Sequence, residues 1–300
     1  MYDLIIIGAG PAGLTAGIYA GRAGLNTLIL DKAQCGGTAN TAPLVENYPG
    51  IDKIPGMDLM KSVSQQAKQY CEIMEFVNID KVEKSIGNTY NIETNKGNFS
   101  CQFLILATGS THQTLDVPGV DKFSGRGVSY CAVCDGNFFV DREVLVIGGG
   151  NSAATEALYL KRIGVKCSIV HRRDTLRCDI KLQEDIAKNN IPVYWNCELK
   201  EVKGDMLVEE AVIFNKKTGT ENSIKVSGIF IAIGNIPNNQ LALDLGVECD
   251  EFGYIVTDKN MKTSGDGIYA VGDVTGGVKQ IVVAAGQGAV ASEKIQYLLI

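Results

Sequence analysis

This 300-residue sequence predicts an α/β fold built on two copies of one strand, glycine loop, helix, strand unit. Three observations lead there. Close to the start, an apolar run of the kind that forms a buried parallel strand opens directly into a Gly-x-Gly-x-x-Gly loop and a helical stretch. The same grammar returns 140 residues later, from Gly8 to Gly148. In the remaining chain, further short apolar runs also end in glycine, at "FLILATGS" (103–110) and "IFIAIGNIPNN" (229–239).

The first copy reads "DLIIIGAGPAGLTAGIYAGRAGLNTLILDK". Residues 3–7 are the strand. The loop Gly8, Gly10, Pro11, Ala12, Gly13 follows, then a helix to about Arg22. A second strand over Thr27–Leu30 ends at Asp31. The first glycine permits a tight turn, the second lets backbone approach a pyrophosphate, and the third lets helix and strand pack closely. The helix N-terminus faces the anion. Asp31 lies 18 residues past Gly13, where a carboxylate accepts from a ribose 2′-hydroxyl. The bland alternative is a Gly-rich turn in an α/β domain that binds no nucleotide. Strand, glycines, helix, strand and acid in this order favour a dinucleotide.

The second copy is "REVLVIGGGNSAATEALYLKRIGVKCSIVHRRDTLR". It gives a strand at 144–147, the loop Gly148, Gly150, Asn151, Ser152, Ala153, a helix to about Arg162 and a strand at 165–170. Alanine replaces the third glycine, an accepted variant. The acid after the second strand is missing, and His171, Arg172, Arg173 and Arg177 stand there instead. Guanidiniums bind a 2′-phosphate bidentately, whereas a carboxylate would repel it. This site is therefore expected to take NADPH in preference to NADH, unless the basic turn is only solvated surface. Further on, "TSGDGIYAVGDVTGG" places a short strand before Gly272 and Asp273, where a carboxylate can accept from a polyol hydroxyl.

Composition bounds the rest. The net charge is −6 and no basic tract stands out, which argues against nucleic acid. The opening apolar run is too short to span a bilayer and has no positive flank, so no membrane association is expected. The nine cysteines are odd in number and scattered, which points to a reducing compartment and a cytoplasmic location rather than a secreted disulfide framework. Only Cys131 and Cys134 form a C-x-x-C, in "YCAVCDGNFF".

Seven segments in order carry a family resemblance: "GAGPAG" (8–13), "VENYPG" (45–50), "ATG" (107–109), "CAVCDG" (131–136), "GGGNSA" (148–153), "HRRDTLR" (171–177) and "YAVGD" (269–273). Over nearly its whole length the chain resembles the low-molecular-weight thioredoxin reductases. The resemblance implies two Rossmann-like, three-layer ββα dinucleotide-binding domains, with the NADPH domain inserted into the FAD domain. Mapped here, that is FAD from 1–112 and 241–300, and NADPH with the C-x-x-C from 113–240. The linkers "THQTLDVPG" and "GNIPNNQ" fit the two crossings. FAD contacts would come from Gly8, Gly10, Pro11, Ala12, Gly13, Asp31, Gly36, Gly37, Thr38, Asn47, Thr108, Gly109, Gly272 and Asp273. The family carries Arg-Gln-Ala along the flavin ring. Here Lys279, Gln280 and Ile281 stand instead, keeping a cation with different geometry.

Three readings compete for the cysteine pair. Zinc needs four ligands, and the chain has no second C-x-x-C and only His112 and His171. No metal is therefore expected. A static crosslink over so small a loop contributes little. A redox dithiol fits best. The resemblance then implies electrons relayed from NADPH through FAD to Cys131–Cys134 and on to the disulfide of a thioredoxin-like protein, with Cys134 nearer the flavin and Cys131 offered to the substrate. Asp135 is the candidate proton donor, with pKa raised by burial, or else a turn residue before Gly136. Because nicotinamide and disulfide ride on one domain, the family rotates it about its linkers. Phe138 and Phe139, with Arg126 at the rim, are candidates for docking the partner protein, the alternative being ordinary core. The other cysteines are expected to be packed hydrophobes, except that Cys35, beside the flavin loop, is a candidate reactive thiol. A homodimer is implied by the family alone. The rival functions are a related flavin reductase fed by ferredoxin or a deazaflavin, a dithiol oxidase acting on a small molecule, and a nucleotide sensor without turnover.

Overall fold

The computed structural model of the chain describes residues 1–42, 44–85, 87 and 89–299. Position 300, the last of the expected flavin-binding segment, lies outside them. Two compact units emerge, one of Met1–Thr111 with Ile236–Ile300 and one of His112–Asn235. The breaks fall at 111/112 and 235/236, one and five residues before the boundaries expected from sequence.

The first unit opens with β1 (Tyr2–Ile7), α1 (Pro11–Arg22) and β2 (Thr27–Leu30). It continues through α2 (Gly56–Ala67), β3 (Glu72–Met74), β4 (Ile79–Ser85), β5 (Thr89–Thr94), β6 (Gly97–Leu106) and β7 (Ser110–His112). Within β7 the chain leaves for the second unit. That unit comprises β8 (Val128–Ser129), α3 (Ala132–Asp135), β9 (Glu143–Ile147), α4 (Asn151–Arg162), β10 (Lys166–His171), α5 (Ile180–Lys188) and β11 (Val193–Trp195). Then come β12 (Cys197–Lys203), β13 (Glu210–Asn215), β14 (Thr220–Lys225) and β15 (Gly228–Ile231). The return runs through β16 (Asn235–Pro237), α6 (Gln240–Asp244), β17 (Ile268–Ala270) and α7 (Ile281–Leu299).

In the first unit β1 lies between β2 and β6, both parallel to it, with Leu4 beside Thr27 and Phe103. A strand buried on both faces needs apolar residues at every position, and β1 supplies them from Leu4 to Ile7. Leu4 and Ile6 face one cluster with Ala12, Leu14, Ala16 and Ile295, on the side of α1 and α7. Ile5 and Ile7 face the other, with Val82, Tyr90 and Ile92 of the antiparallel β4–β5 hairpin. The result is helices, parallel sheet and antiparallel sheet in three layers. Small residues bring α7 onto α1. A Cβ at Gly288 would come 2.2 Å from the Ala12 carbonyl oxygen, and Ser292 Oγ donates to Ala16 O at 2.8 Å.

The second unit repeats the scheme. Its parallel order is β11-β10-β9-β15-β8. Val144 and Val146 of β9 pack with Ala153, Ala157 and Leu160 of α4. Leu145 and Ile147 point the other way, toward Leu199, Ala211 and Ile213 of the β12-β13-β14 sheet. Among the described residues, no helix is long and apolar enough to cross a membrane.

Candidate active site

In the first unit the predicted loop residues come together at the end of β1. Gly8 has φ +108°, and a Cβ there would sit 2.2 Å from Ala107 O. A Cβ at Gly13 would lie 1.8 Å from Gly8 O, so only glycine lets α1 start this close to the strand. Gly10, by contrast, faces nothing within 4 Å. It caps α1 with no side-chain hydrogen bond, leaving first-turn amides open toward that space. Asp31 accepts from the Ala9 amide at 2.5 Å and the Ala33 amide at 2.8 Å. Each carboxylate oxygen retains a lone pair for a further donor.

The remaining flavin candidates divide. Gly36 donates its amide to Ala9 O at 2.8 Å, and the Cα of Gly10 is 3.2 Å from where a Gly37 Cβ would be. The two glycine loops therefore meet backbone to backbone, with Thr38 in the turn that follows. Asn47 donates to Gln280 at 2.9 Å, which joins two predicted positions 233 residues apart. Thr108 Oγ1 donates to Asn238 O at 2.7 Å, and Gly109 follows with φ +68°. Ser110 Oγ reaches Asp273 at 3.5 Å. The Gly272 amide is held by Gln287 Oε1 at 2.7 Å, a residue that sequence reasoning missed because nothing local marks it. Lys279 Nζ is turned onto the Tyr254 hydroxyl at 2.9 Å, and Ile281 starts α7. A cradle that no Cβ fits, an uncapped helix start and a carboxylate at the second strand end suit a dinucleotide, so this unit's residues fit FAD.

The second unit's loop is built alike. A Cβ at Gly148 would meet Ala232 O at 2.4 Å, Ala153 is fully buried, and Gly150 faces open space as the uncapped start of α4. Arg172, Arg173 and Arg177 are exposed, and among the described residues none is in an ion pair. The Arg177 amide donates to Gly149 O at 2.7 Å, tying the basic turn to the glycine loop. That arrangement fits a phosphorylated dinucleotide. His171 is placed differently from its arginine neighbours. It is buried, its Nε2 meets Thr175 O at 2.9 Å, and a Cβ at Gly149 would fall 2.1 Å from its Nδ1. Burial holds its pKa below the usual value, so it packs beneath the loop as a neutral ring rather than adding a cation. Asn151 is engaged with Asp179 through two hydrogen bonds, and Ser152 is exposed in the first turn of α4.

Cys131 and Cys134 are joined as a disulfide across the short helix α3, with Cα atoms 5.3 Å apart. Cys131 is the N-cap, and its Sγ accepts from the Cys134 amide at 3.2 Å. Asp135 is half-buried, and burial lifts its pKa against the opposing hydrogen bond from Ser129. Ser129 was missed by sequence reasoning. Its Oγ donates to Asp135 Oδ2 at 2.6 Å and accepts from the Cys131 amide at 3.1 Å. Asp135 Oδ1 is buried without a partner. A carboxyl whose burial favours its protonated form relative to a free aspartate thus sits next to the disulfide.

Two expectations are corrected. Phe139 is only 8% exposed. It meets Phe230 edge-on at 5.4 Å and covers Gly228, so it is core and cannot dock a partner. Phe138 next to it is 44% exposed. In a tight 3-10 turn, adjacent side chains diverge, and one sequence position separates core from surface. Cys35 is not a reactive thiol either. Burial, reinforced by the neighbouring Glu75, pushes its pKa up to about 11 and keeps the thiolate scarce. Among the described residues, no cluster of three or more His, Cys, Asp or Glu is arranged to hold a metal.

Residues 2–288 match the family model of the pyridine nucleotide-disulphide oxidoreductases. A thioredoxin reductase of Listeria monocytogenes is 42% identical over 300 residues, 99% of this chain and 93% of its own. One of Bacillus subtilis is 39% identical over 301 residues, covering 99% and 94%. The crystal structure of thioredoxin reductase from Streptococcus pyogenes superposes with a TM-score of 0.93 at 38% identity, over 100% of this chain and 98% of that one. The two strand-glycine-helix units, the cysteine pair between them in sequence, and these matches over nearly the full length agree: the chain belongs to the pyridine nucleotide-disulphide oxidoreductases, in the thioredoxin reductase family.

Proposed function

We propose that the chain is an NADPH-dependent thioredoxin-disulfide reductase using FAD, with FAD held by Met1–Thr111 and Ile236–Ile300 and NADPH by His112–Asn235. The observation that carries this reading is the disulfide Cys131–Cys134 with the buried acid Asp135 directly after it. Seven other cysteines are free, which supports a pair made for turnover rather than for a rigid framework, and a reducing cytoplasm as its setting. A homodimer is proposed on family grounds.

Bound FAD, recharged by NADPH, supplies the electron pair that opens the disulfide. Cys134's amide points at Cys131 Sγ, which favours negative charge on that sulfur once the bond is broken. The resulting thiolate at Cys131 attacks a partner disulfide, and Cys134 resolves the mixed disulfide, releasing the partner's dithiol. Asp135, oriented by Ser129, holds the proton that the leaving sulfur needs, on its unpartnered Oδ1. Phe138, Val133 and Arg126 are exposed, and we assign them to partner docking, without Phe139. Arg172, Arg173 and Arg177 hold the 2′-phosphate.

The test is anaerobic mixing of the oxidised holoenzyme with NADPH, NADH or reduced deazaflavin while flavin absorbance is followed. A thioredoxin disulfide is then added and its thiols counted. Rapid bleaching by NADPH, slow bleaching by NADH, and thiol release abolished in Cys131→Ser are expected. Bleaching by deazaflavin alone, or thiol release that survives in Cys131→Ser, overturns the proposal.

A further inference from the structure

We propose that Glu156 is a positioning residue for the redox pair, its ionisation coupled to whether Cys131–Cys134 is a disulfide or a dithiol. This rests on the reading of that pair as the working couple. Glu156 lies on α4, which packs against α3. The Ala132 amide, one residue after Cys131, lies near enough to favour the charged form of Glu156. Its Oε2 is buried and has no partner. Among the described residues, two buried side-chain oxygens are left this way, Glu156 Oε2 and Asp135 Oδ1, and both belong to carboxyls at the same four-residue turn. An unpartnered buried carboxylate oxygen is costly, and a carboxylic acid in its place is not. Two such groups at a single disulfide call for a reason tied to that disulfide.

The chemistry supplies one. Reduction breaks the Sγ–Sγ bond and places one electron pair on the two sulfurs, drawn from NADPH through the flavin. One sulfur takes a proton from Asp135 or solvent, and the other keeps its charge as the attacking thiolate. A thiolate and an ionised Glu156 would be like charges where α4 packs on α3, and each disfavours the other. Neutral Glu156 tolerates the thiolate. Burial pushes its pKa up to about 8, opposed only by the Ala132 amide. The titratable groups on the elements packed against α4 are Asp135 on α3, Glu143 on β9, Lys166, Cys167 and His171 on β10, and Lys181, Glu184, Asp185 and Lys188 on α5. On α4 itself stand Tyr159, Lys161 and Arg162. None of them contributes to the shift. No cation among them offsets a negative charge on Glu156.

The experiment measures the redox equilibrium of this pair in the holoenzyme. Wild type, Glu156→Gln and Glu156→Asp are equilibrated anaerobically in dithiothreitol redox buffers from about pH 6 to about pH 9.5. After acid quench and alkylation, the peptide holding both cysteines is quantified by mass. Glutamine keeps the shape and the side-chain carbonyl and cannot ionise. Wild type and Glu156→Gln should coincide below about pH 7. Above about pH 8 the Gln variant should be easier to reduce, by roughly tenfold in the equilibrium constant for a coupling of about one pKa unit between like charges. Glu156→Asp, which can still ionise, should follow wild type. A constant offset at every pH would mean a merely structural role, and overlapping curves would mean no coupling. Either result overturns the proposal. In a parallel wild-type sample given NADPH in place of dithiothreitol, a peptide that stays oxidised would mean that the reading of Cys131–Cys134 itself fails.

Discussion

The Phe139 ring gives the most direct test of the packing described here. Phe139 is buried against Phe230, and its Cε1 lies 2.4 Å from where a Cβ on Gly228 would be. Phe139→Ala removes a buried aromatic and should cost about 3–5 kcal/mol. Gly228→Ala pushes a methyl into the same ring. Gly228 opens β15 and its φ is not positive, so the cost is overpacking, about 1–3 kcal/mol. In the double variant the new methyl enters space the ring has left. The combined cost should fall below the sum by about 1–2 kcal/mol, well outside the ~0.5 kcal/mol tolerance for independent sites. Urea unfolding reads this directly, because the chain's one tryptophan, Trp195, belongs to the same unit. Additive costs, or a loss of under about 1 kcal/mol in Phe139→Ala, would refute the burial argument. Phe138→Ala should leave the unfolding midpoint in place and raise KM for the protein substrate.

Two more outcomes are expected. Gly13→Ala and Gly10→Ala should part company: a Cβ at Gly13 collides with Gly8 O, whereas one at Gly10 meets nothing within 4 Å. The first should unfold the unit or strip its flavin, and the second should fold normally but retain less flavin through gel filtration, read from the visible absorbance. The second concerns pH. Glu156 is raised from 4.5 to about 8 on folding, so the folded state binds more protons than the unfolded chain between those values. The stability it allows is fully present below the unfolded pKa and is lost as pH rises through about 8. The Trp195 unfolding midpoint should decline across that window in wild type and run flatter in Glu156→Gln. Parallel profiles would count against the burial of this carboxyl.

How much of this was legible in sequence depends on how local the cause is. Gly8, Gly13 and Asp31 announce themselves because turn, helix start and strand end all lie within one short stretch, and their spacing is fixed by backbone geometry. The Cys131–Cys134–Asp135 group was legible for the same reason. Ser129 was not, since a serine two residues before a cysteine has no pattern, and only the turn brings its hydroxyl between the Cys131 amide and Asp135. Glu156 reads as an ordinary helix-surface residue until α3 is laid over α4. His171 looked like a member of a basic cluster because its sequence neighbours are arginines. Strand alternation sends it inward beneath Gly149 and sends the arginines of the following turn outward. Phe138 and Phe139 failed as a pair for a related reason, because two adjacent residues in a tight turn need not share an environment.

The contact of α7 with α1 has a consequence for how the protein is made. Gly288 and Ser292 rest on Ala12 and Ala16, so the layer that covers β1 is finished by residues translated almost three hundred positions after it. The middle unit, His112–Asn235, can close as soon as it leaves the ribosome, while the opening strand waits with one apolar face uncovered. During that interval, Leu4, Leu14 and Ala16 form the stretch most in need of a chaperone, and a nascent chain stalled before α7 should be captured there.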